Sequence, residues 1–299
     1  MPRNAGHFCF TVLTIALKVR RGMRMIMLVS MPLSAPHKPS PAPGVTQRAK
    51  AHITVTAAGD DSLITAAKKL ARELSLPWVA AGETGADLQL VLTPEHLELR
   101  DGHDPRLGPV YVDFSHLDLR PYGANLSRRQ PLARAMGKKN RTVVDATAGY
   151  CQDALLLALM GFRVTAIERS PVVAALAQDG LQRLATQAGL TLAQRLQLLT
   201  ADARGLLPSI APRPDAIYLD PMFPPKRKKS AAVKKEMRLL RVLVGDDPDA
   251  TELFEISRRV ALNRVVVKRP DDAAPLAPDP SMSIAGKLVR YDVYLSRNP

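Results

Sequence analysis

The run Val143-Val144-Asp145-Ala146-Thr147-Ala148-Gly149-Tyr150-Cys151-Gln152-Asp153 decides the architecture of this chain. β-Branched residues lead to an acid, a loop of small residues containing Gly149 follows, and helix-forming residues begin at Asp153 and run to Met160. Such a segment is a buried strand that turns through a glycine loop into a helix. In open α/β sheets, ligands bind outside the carboxyl ends of the strands, where this loop sits. A glycine there lets a ligand approach the backbone closely. The dinucleotide pattern G-x-G-x-x-G is absent, which disfavours a nicotinamide enzyme.

Outward from this run, strands alternate with helices, the pattern of a parallel sheet with crossover helices. Strands are predicted at 142–146, 163–167, 196–199, 216–219 and 264–268, and helices at 153–160, 172–188, 234–244 and 252–260. The alternating stretch 287–295 suits a hairpin or an antiparallel edge strand. Upstream, strands at 52–56, 88–92, 97–100 and 110–114 and a helix at 63–74 form a small α/β region. The chain therefore divides into an extension (1–48), a small N-terminal α/β region (49–125) and a Rossmann-like domain (126–299).

An acid stands at each of four successive strand ends. Asp145 suits a zwitterionic amino-acid ligand better than a pyrophosphate and would attract the ammonium or sulfonium end of S-adenosylmethionine (SAM); it could equally tie down its own loop. Glu168 lies 19 residues beyond Gly149, a spacing at which an acid accepts both ribose hydroxyls of a bound nucleoside. Alone it would be a helix N-terminal acid. Asp202 could accept from an adenine amino group or serve as ordinary turn chemistry. The fourth strand leads into Asp220-Pro221-Met222-Phe223-Pro224-Pro225, a loop stiffened by prolines. An exocyclic base amine is a weak nucleophile, because its lone pair is delocalised. Asp220 accepting one N–H would orient it, and Phe223 would stack on a base drawn out of its helix. Methyl transfer from a sulfonium needs no metal and gains mostly from alignment.

The segment from Lys226 to Arg241 carries eight basic residues and one acid in 16 positions. Charge runs are commonly solvated faces, but at the lip of this loop Lys226, Arg227, Lys228, Lys229, Lys234, Lys235 and Arg238 would hold RNA phosphates, and Lys268 and Arg269 would extend that surface.

These motifs resemble the bacterial small-subunit ribosomal RNA guanine-N2 methyltransferases of the RsmJ type. The matching runs are 90–100 (LVLTPEHLELR), 144–149 (VDATAG), 168–176 (ERSPVVAAL), 218–224 (YLDPMFP), 233–238 (VKKEMR) and 265–270 (VVVKRP). The resemblance extends from about residue 50 to the end. It implies a class I SAM methyltransferase sheet and methylation of one guanine N2 in the hairpin near the 3′ end of 16S ribosomal RNA, free or in the small subunit. By motif, Gln152, Asp153, Glu168, Arg169, Asp202, Ala203 and Asp220 would hold the cofactor. The family's loop reads Gly-Leu-Gly-Arg-Asp where this chain has Gly149-Tyr150-Cys151-Gln152-Asp153, so a Cβ at Cys151 is expected near the cofactor. Competing readings are an adenine-N6 or other amino methyltransferase, and an inactive RNA-binding assembly protein.

Bulk properties agree with a polyanionic partner. Formal net charge is +14 over 299 residues. Seven Lys/Arg and no acid fall in residues 1–48, a Pro-rich stretch read as disordered, with a signal peptide as the minority reading. Two cysteines without metal spacing fit a reducing cytoplasm and neither a disulfide framework nor a structural zinc. No apolar run is long enough to span a bilayer.

Overall fold

The computed structural model describes residues 51–83, 85–119, 126–189, 191–222, 235–245 and 247–296, with side chains of 235–238 excepted. The expected N-terminal extension lies outside the described residues. The described chain opens with β1 (Ile53–Ala57), α1 (Asp61–Leu74), β2 (Leu88–Leu92) and β3 (Leu97–Asp101). β1 pairs in parallel with β2, and β2 antiparallel with β3. Helix α1 starts because the Asp60 carboxylate accepts from the Leu63 N–H, and it ends where Ser75 turns left-handed. The LTPEHLELR run is the β2–β3 hairpin. Its Thr93 hydroxyl accepts from the Glu95 and His96 N–H groups, and the buried Glu98 carboxylate takes His96 and Arg100.

The second sheet contains β4 (Thr142–Asp145), β5 (Arg163–Glu168), β6 (Leu196–Thr200), β7 (Ala216–Leu219), β8 (Arg264–Pro270), β9 (Met282–Ala285) and β10 (Val289–Leu295). Its order is β6-β5-β4-β7-β8-β10-β9. The first five are mutually parallel, and β10 runs antiparallel between β8 and β9. The helices are α2 (Pro131–Met136), α3 (Gln152–Leu159), α4 (Pro171–Ala188), α5 (Ala203–Leu206), α6 (Lys235–Val244) and α7 (Ala250–Val260). The chain winds from β4 through β5 to β6, then returns to place β7 and β8 on the other side of β4. The strand order thus reverses between β4 and β7, the crevice where doubly wound sheets bind ligands.

Period-two alternation in the central strands fills both faces, as burial on two sides demands. Val143, Tyr218 and Val266 face one apolar cluster, and Val144, Ile217, Val265 and Val267 the other. The first cluster continues through Leu88, Leu90, Leu99 and Val112 of the small N-terminal region.

One expectation changes. Residues 110–114 do not form a strand: Val110 alone bridges to Leu99. The alternation is real, since Val112 and Phe114 are buried, but it packs Val112 on α4 instead of pairing with a neighbour. Of the two readings of 287–295 the hairpin holds, since β10 pairs antiparallel with the preceding β9. The edge is β9, whose residues are mostly exposed and so carry little hydrophobic signal. Among the described residues no helix is long and apolar enough to cross a membrane.

The α4 junction generates a paired test. A Cβ at Gly180 would stand 2.6 Å from Val112 Cγ1 and 2.8 Å from the Val112 carbonyl oxygen, whereas a Cβ at Gly205 meets nothing within 4 Å. Gly180→Ala should lower the denaturation midpoint, because overpacking of about 1–3 kcal/mol outweighs a helix-propensity gain of about 1 kcal/mol. Gly205→Ala should raise it slightly. Midpoint shifts of the same sign would show that the contact with Val112 relaxes freely.

Candidate active site

Asp145, Glu168, Asp202 and Asp220 follow or end β4, β5, β6 and β7, four neighbouring strands with their carboxyl ends on one side of the sheet. The loops there are cross-tied. The Ala146 N–H donates to the Tyr218 carbonyl, Ala148 N–H to the Ile167 carbonyl, and Asp220 N–H to Thr147 Oγ1 at 2.6 Å. The glycine loop is thereby fixed to both adjacent strands.

Asp145 is 1% exposed and its Oδ1 accepts from the Thr147 N–H at 3.1 Å. Burial, with the charges of Asp153 and Asp220, lifts its pKa well above the ordinary carboxylate value. Glu168 grips two backbone groups, the Gly149 N–H at 2.8 Å and the Ser170 N–H at 2.7 Å. Burial raises it too, against those hydrogen bonds. The loop-tying and helix-start readings of these acids are therefore both realised in geometry. Each Glu168 oxygen still keeps acceptor capacity.

Lys268 is the centre of the cleft. Its ammonium donates to Asp153 Oδ2 at 2.8 Å and Asp220 Oδ2 at 2.9 Å, and Tyr218 OH reaches the same Asp153 oxygen at 2.5 Å. The Asp220 side chain is 39% exposed and so remains open to the cleft. Burial raises its pKa, Lys268 opposes this, and Asp153 adds to it. Lys268 itself, although burial disfavours its charge, is carried above the ordinary lysine value by Asp220 and Asp153. The expectation that Lys268 and Arg269 form an RNA face is corrected. Strand alternation turns Lys268 into the acid cluster and buries Arg269 to 8% exposure.

At the neighbouring lip, Arg169 pairs with Asp247 and Asp249, and Asp247 Oδ2 accepts from the Met222 N–H at 2.6 Å, tying down the Asp220 loop. Arg204 binds Asp202, Asp249 and Glu252. Asp202 caps α5 through the Arg204 N–H, with buried Ala203 as the first helical residue. Gln152 is exposed at the start of α3. Thr147, Tyr218, Arg204, Asp247 and Asp249 were not anticipated. Tyr218 had a signal, as the one polar-tipped side chain in a buried strand. The others reveal themselves only through contacts distant in sequence.

Cys151 corrects a further expectation. It adopts φ 61°, ψ 21°, so the family's glycine here meets a left-handed backbone. Its side chain is wholly buried in the apolar cluster and does not line the cleft. Burial pushes the thiol up. Space opens instead at Gly149 (φ +52°), where a Cβ would meet nothing within 4 Å. Phe223, Lys226, Arg227, Lys228, Lys229 and Lys234 lie outside the described residues. Lys235 and Arg238 lie on α6, with side chains not described. Among the described residues no His, Cys, Asp and Glu side chains group as a metal site.

A family model described as "Putative SAM-dependent methyltransferase" matches residues 69–296. The ribosomal RNA small subunit methyltransferase J of Thioalkalivibrio sulfidiphilus is 48% identical over 253 residues, 82% of this chain and 98% of that protein. The protein of the same name from Serratia proteamaculans is 47% identical over 231 residues, 74% of this chain and 92% of its own length. The crystal structure of a SAM-dependent methyltransferase from Neisseria gonorrhoeae superposes with a TM-score of 0.61 at 30% identity, covering 82% of this chain and 97% of that one.

Two substitutions test the electrostatics. An acid whose folded pKa is raised binds its proton more tightly when folded, so its stability contribution falls as pH rises through the window above the unfolded value. Asp145→Asn should therefore melt higher than the wild type on the alkaline side, with the gap closing toward acid. Parallel melting curves across pH would show that Asp145 is not desolvated. Lys268→Met should do the reverse. Stripping the cation from a largely buried pair costs about 3–5 kcal/mol, and the deficit should widen as Asp220 ionises. In the wild type the raised lysine keeps its contribution below its unfolded pKa and loses it only at strongly alkaline pH.

Proposed function

Since the chain belongs to the small-subunit ribosomal RNA methyltransferase J family of SAM-dependent methyltransferases, we propose that it methylates the exocyclic N2 of a guanine in that RNA. The observation that carries this reading is the reversal of strand order between β4 and β7, flanked by Asp145 and by a cleft-facing Asp220. The residues present fit SAM. Open space adjoins Gly149, and carboxylates surround the crevice where a sulfonium and an ammonium would need them. Asp145 and Asp153 would favour the cationic amino-acid end. Glu168 would accept from the ribose hydroxyls with its spare lone pairs, and Asp202 and Ala203 would adjoin the adenine. Gln152 and Arg169 complete the set, Arg169 by keeping Asp247 and Asp249 in place.

SAM supplies an electrophilic methyl group on sulfur. The chain supplies alignment and charge. Asp220 would accept an N–H of the guanine amine and so orient its nitrogen for transfer. As positive charge grows on that nitrogen, the carboxylate stabilises it electrostatically. A strong base is not needed, because the methylated cation is acidic. Asp220 must be ionised to act, and Lys268 favours that form against the rise in pKa that burial imposes. Lys268 is thus a positioning residue. Phe223 would stack on the extruded base. The basic residues at 226–229, with Lys234, Lys235 and Arg238, would hold phosphates. The setting is cytoplasmic, with RNA met free or within the subunit.

Labelled-methyl transfer offering naked ribosomal RNA and small subunits, followed by nucleoside analysis, tests the reading: N2-methylguanosine is expected, and N6-methyladenosine as sole product would remove the guanine assignment. Asp220→Ala should lose roughly 100- to 1,000-fold in kcat, the scale of deleting one transition-state electrostatic contact, with SAM affinity little changed. Equal loss of affinity would make Asp220 a cofactor anchor.

A further inference from the structure

We propose that the groove between α2 and β9 is a second docking surface, which grips the phosphate backbone of the substrate RNA at a distance from the reacting base. The inference rests on the chain being a ribosomal RNA methyltransferase. From 126 to 141 the sequence holds six Lys/Arg and no acid. Folding collects five of them, Arg128, Arg129, Arg134, Lys138 and Arg141, around an open groove of about 930 Å³ closed on one side by Ile284. All five are exposed. Among the described residues, none of the five side chains forms an ion pair with a carboxylate. Asp215 approaches this end of the sheet, but it is engaged by the Arg141 and Thr142 N–H groups and the Thr142 hydroxyl.

The groove is built, not a loose fringe of lysines. The Arg128 guanidinium lies 4.2 Å from the Phe162 ring centroid, which holds it in place. Burial and the charge of Arg141 depress its pKa, the signature of cations crowded without acids. Helix α2 packs on β8, β9 and β10 and thereby presents Arg134 and Lys138 beside β9.

Arg141 precedes β4 and Phe162 precedes β5, so much of the groove lies toward the amino ends of the parallel strands, and only its Ile284 rim comes nearer the acid cluster. Ile284 pairs with Tyr291, and Tyr291 with Lys268, so the three form one row across the sheet. Neighbouring strands lie about 4.8 Å apart, so the groove's rim stands roughly 10 Å from the ammonium-bearing strand. Tyr291 senses the same cluster: burial, then Asp153, pushes its hydroxyl up to about 12. A protein partner would need an apolar centre, and Ala133, which is buried, with Ile284 does not supply a large one. Clustered unpaired cations match phosphates, which release counterions when neutralised.

The test uses the full chain carrying Arg134→Glu with Lys138→Glu, and separately Arg134→Ala with Lys138→Ala should reversal disturb folding. Binding to small-subunit ribosomal RNA is measured against salt, with SAM affinity and methyl transfer in parallel. Losing two contacts at about 0.7 each should flatten the slope of log affinity on log salt by about 1.4, and weaken binding roughly 25-fold at about 0.1 M salt for the alanine pair, more for glutamate. KM for RNA should rise while kcat and SAM affinity hold. Wild-type slope and KM in both variants would overturn the groove alone, provided the wild type methylates the RNA or the subunit. If the wild type methylates neither, the underlying reading falls and the groove with it.

Discussion

The cleft depends on one ammonium. Asp145, Asp153 and Asp220 converge at the reversal of the sheet; Asp153 and Asp220 disfavour the ionised state of Asp145, and Asp153 that of Asp220. Burial compounds this, since low dielectric amplifies repulsion between like charges. Lys268, on the adjacent strand β8, donates to two of the three and makes their coexistence tolerable. Its position follows from strand geometry: Val266 and Lys268 share one face, Val267 and Arg269 the other. A carboxylate set assembled for a cationic cofactor is unstable without cations of its own. Arg169 and Arg204 provide the same service at the outer lip.

The loop after β4 shows how this arrangement is held rigid. Thr147 takes the Asp220 N–H while its own N–H goes to Asp145, so the two acids nearest the chemistry are joined through one residue. Glu168 fastens Gly149 from the neighbouring strand. Cys151 then accepts a left-handed backbone that glycine would adopt at no steric cost. That conformation disfavours an L-residue by roughly 1–2 kcal/mol, and burial of the side chain in the core offsets part of it. The substitution thus alters the underside of the loop and spares the side that faces the crevice.

Much of this was legible from residues alone, for identifiable reasons. Buried parallel strands read as short apolar runs, so the acids that end them mark the sheet's carboxyl edge. The helices α3, α4 and α7 were long enough to show their pattern. Helix α2 was not, with six residues, although Pro131 at its start and Gly137 after its end are the usual punctuation. The role of Lys268 was misread because a basic residue after a strand looks like surface until the partner across 48 positions is known. Period two already separated it from Arg269. Asp247 and Asp249 sit in a loop, where sequence offers no periodicity to say which strand end they will face.

Charge sign is sorted in space more sharply than in sequence. Acids gather where a sulfonium and an ammonium must be held. The cations of 128–141 gather toward the amino ends of the strands, where none of the groove's basic side chains pairs with a described carboxylate. A polyanion meeting the acid mouth directly would be repelled, so affinity for RNA has to come from elsewhere on the surface. The two groups of charge are kept apart along the strands, since Arg141 precedes β4 and Asp145 ends it. That length of strand leaves the carboxylates the cofactor requires unneutralised by the arginines.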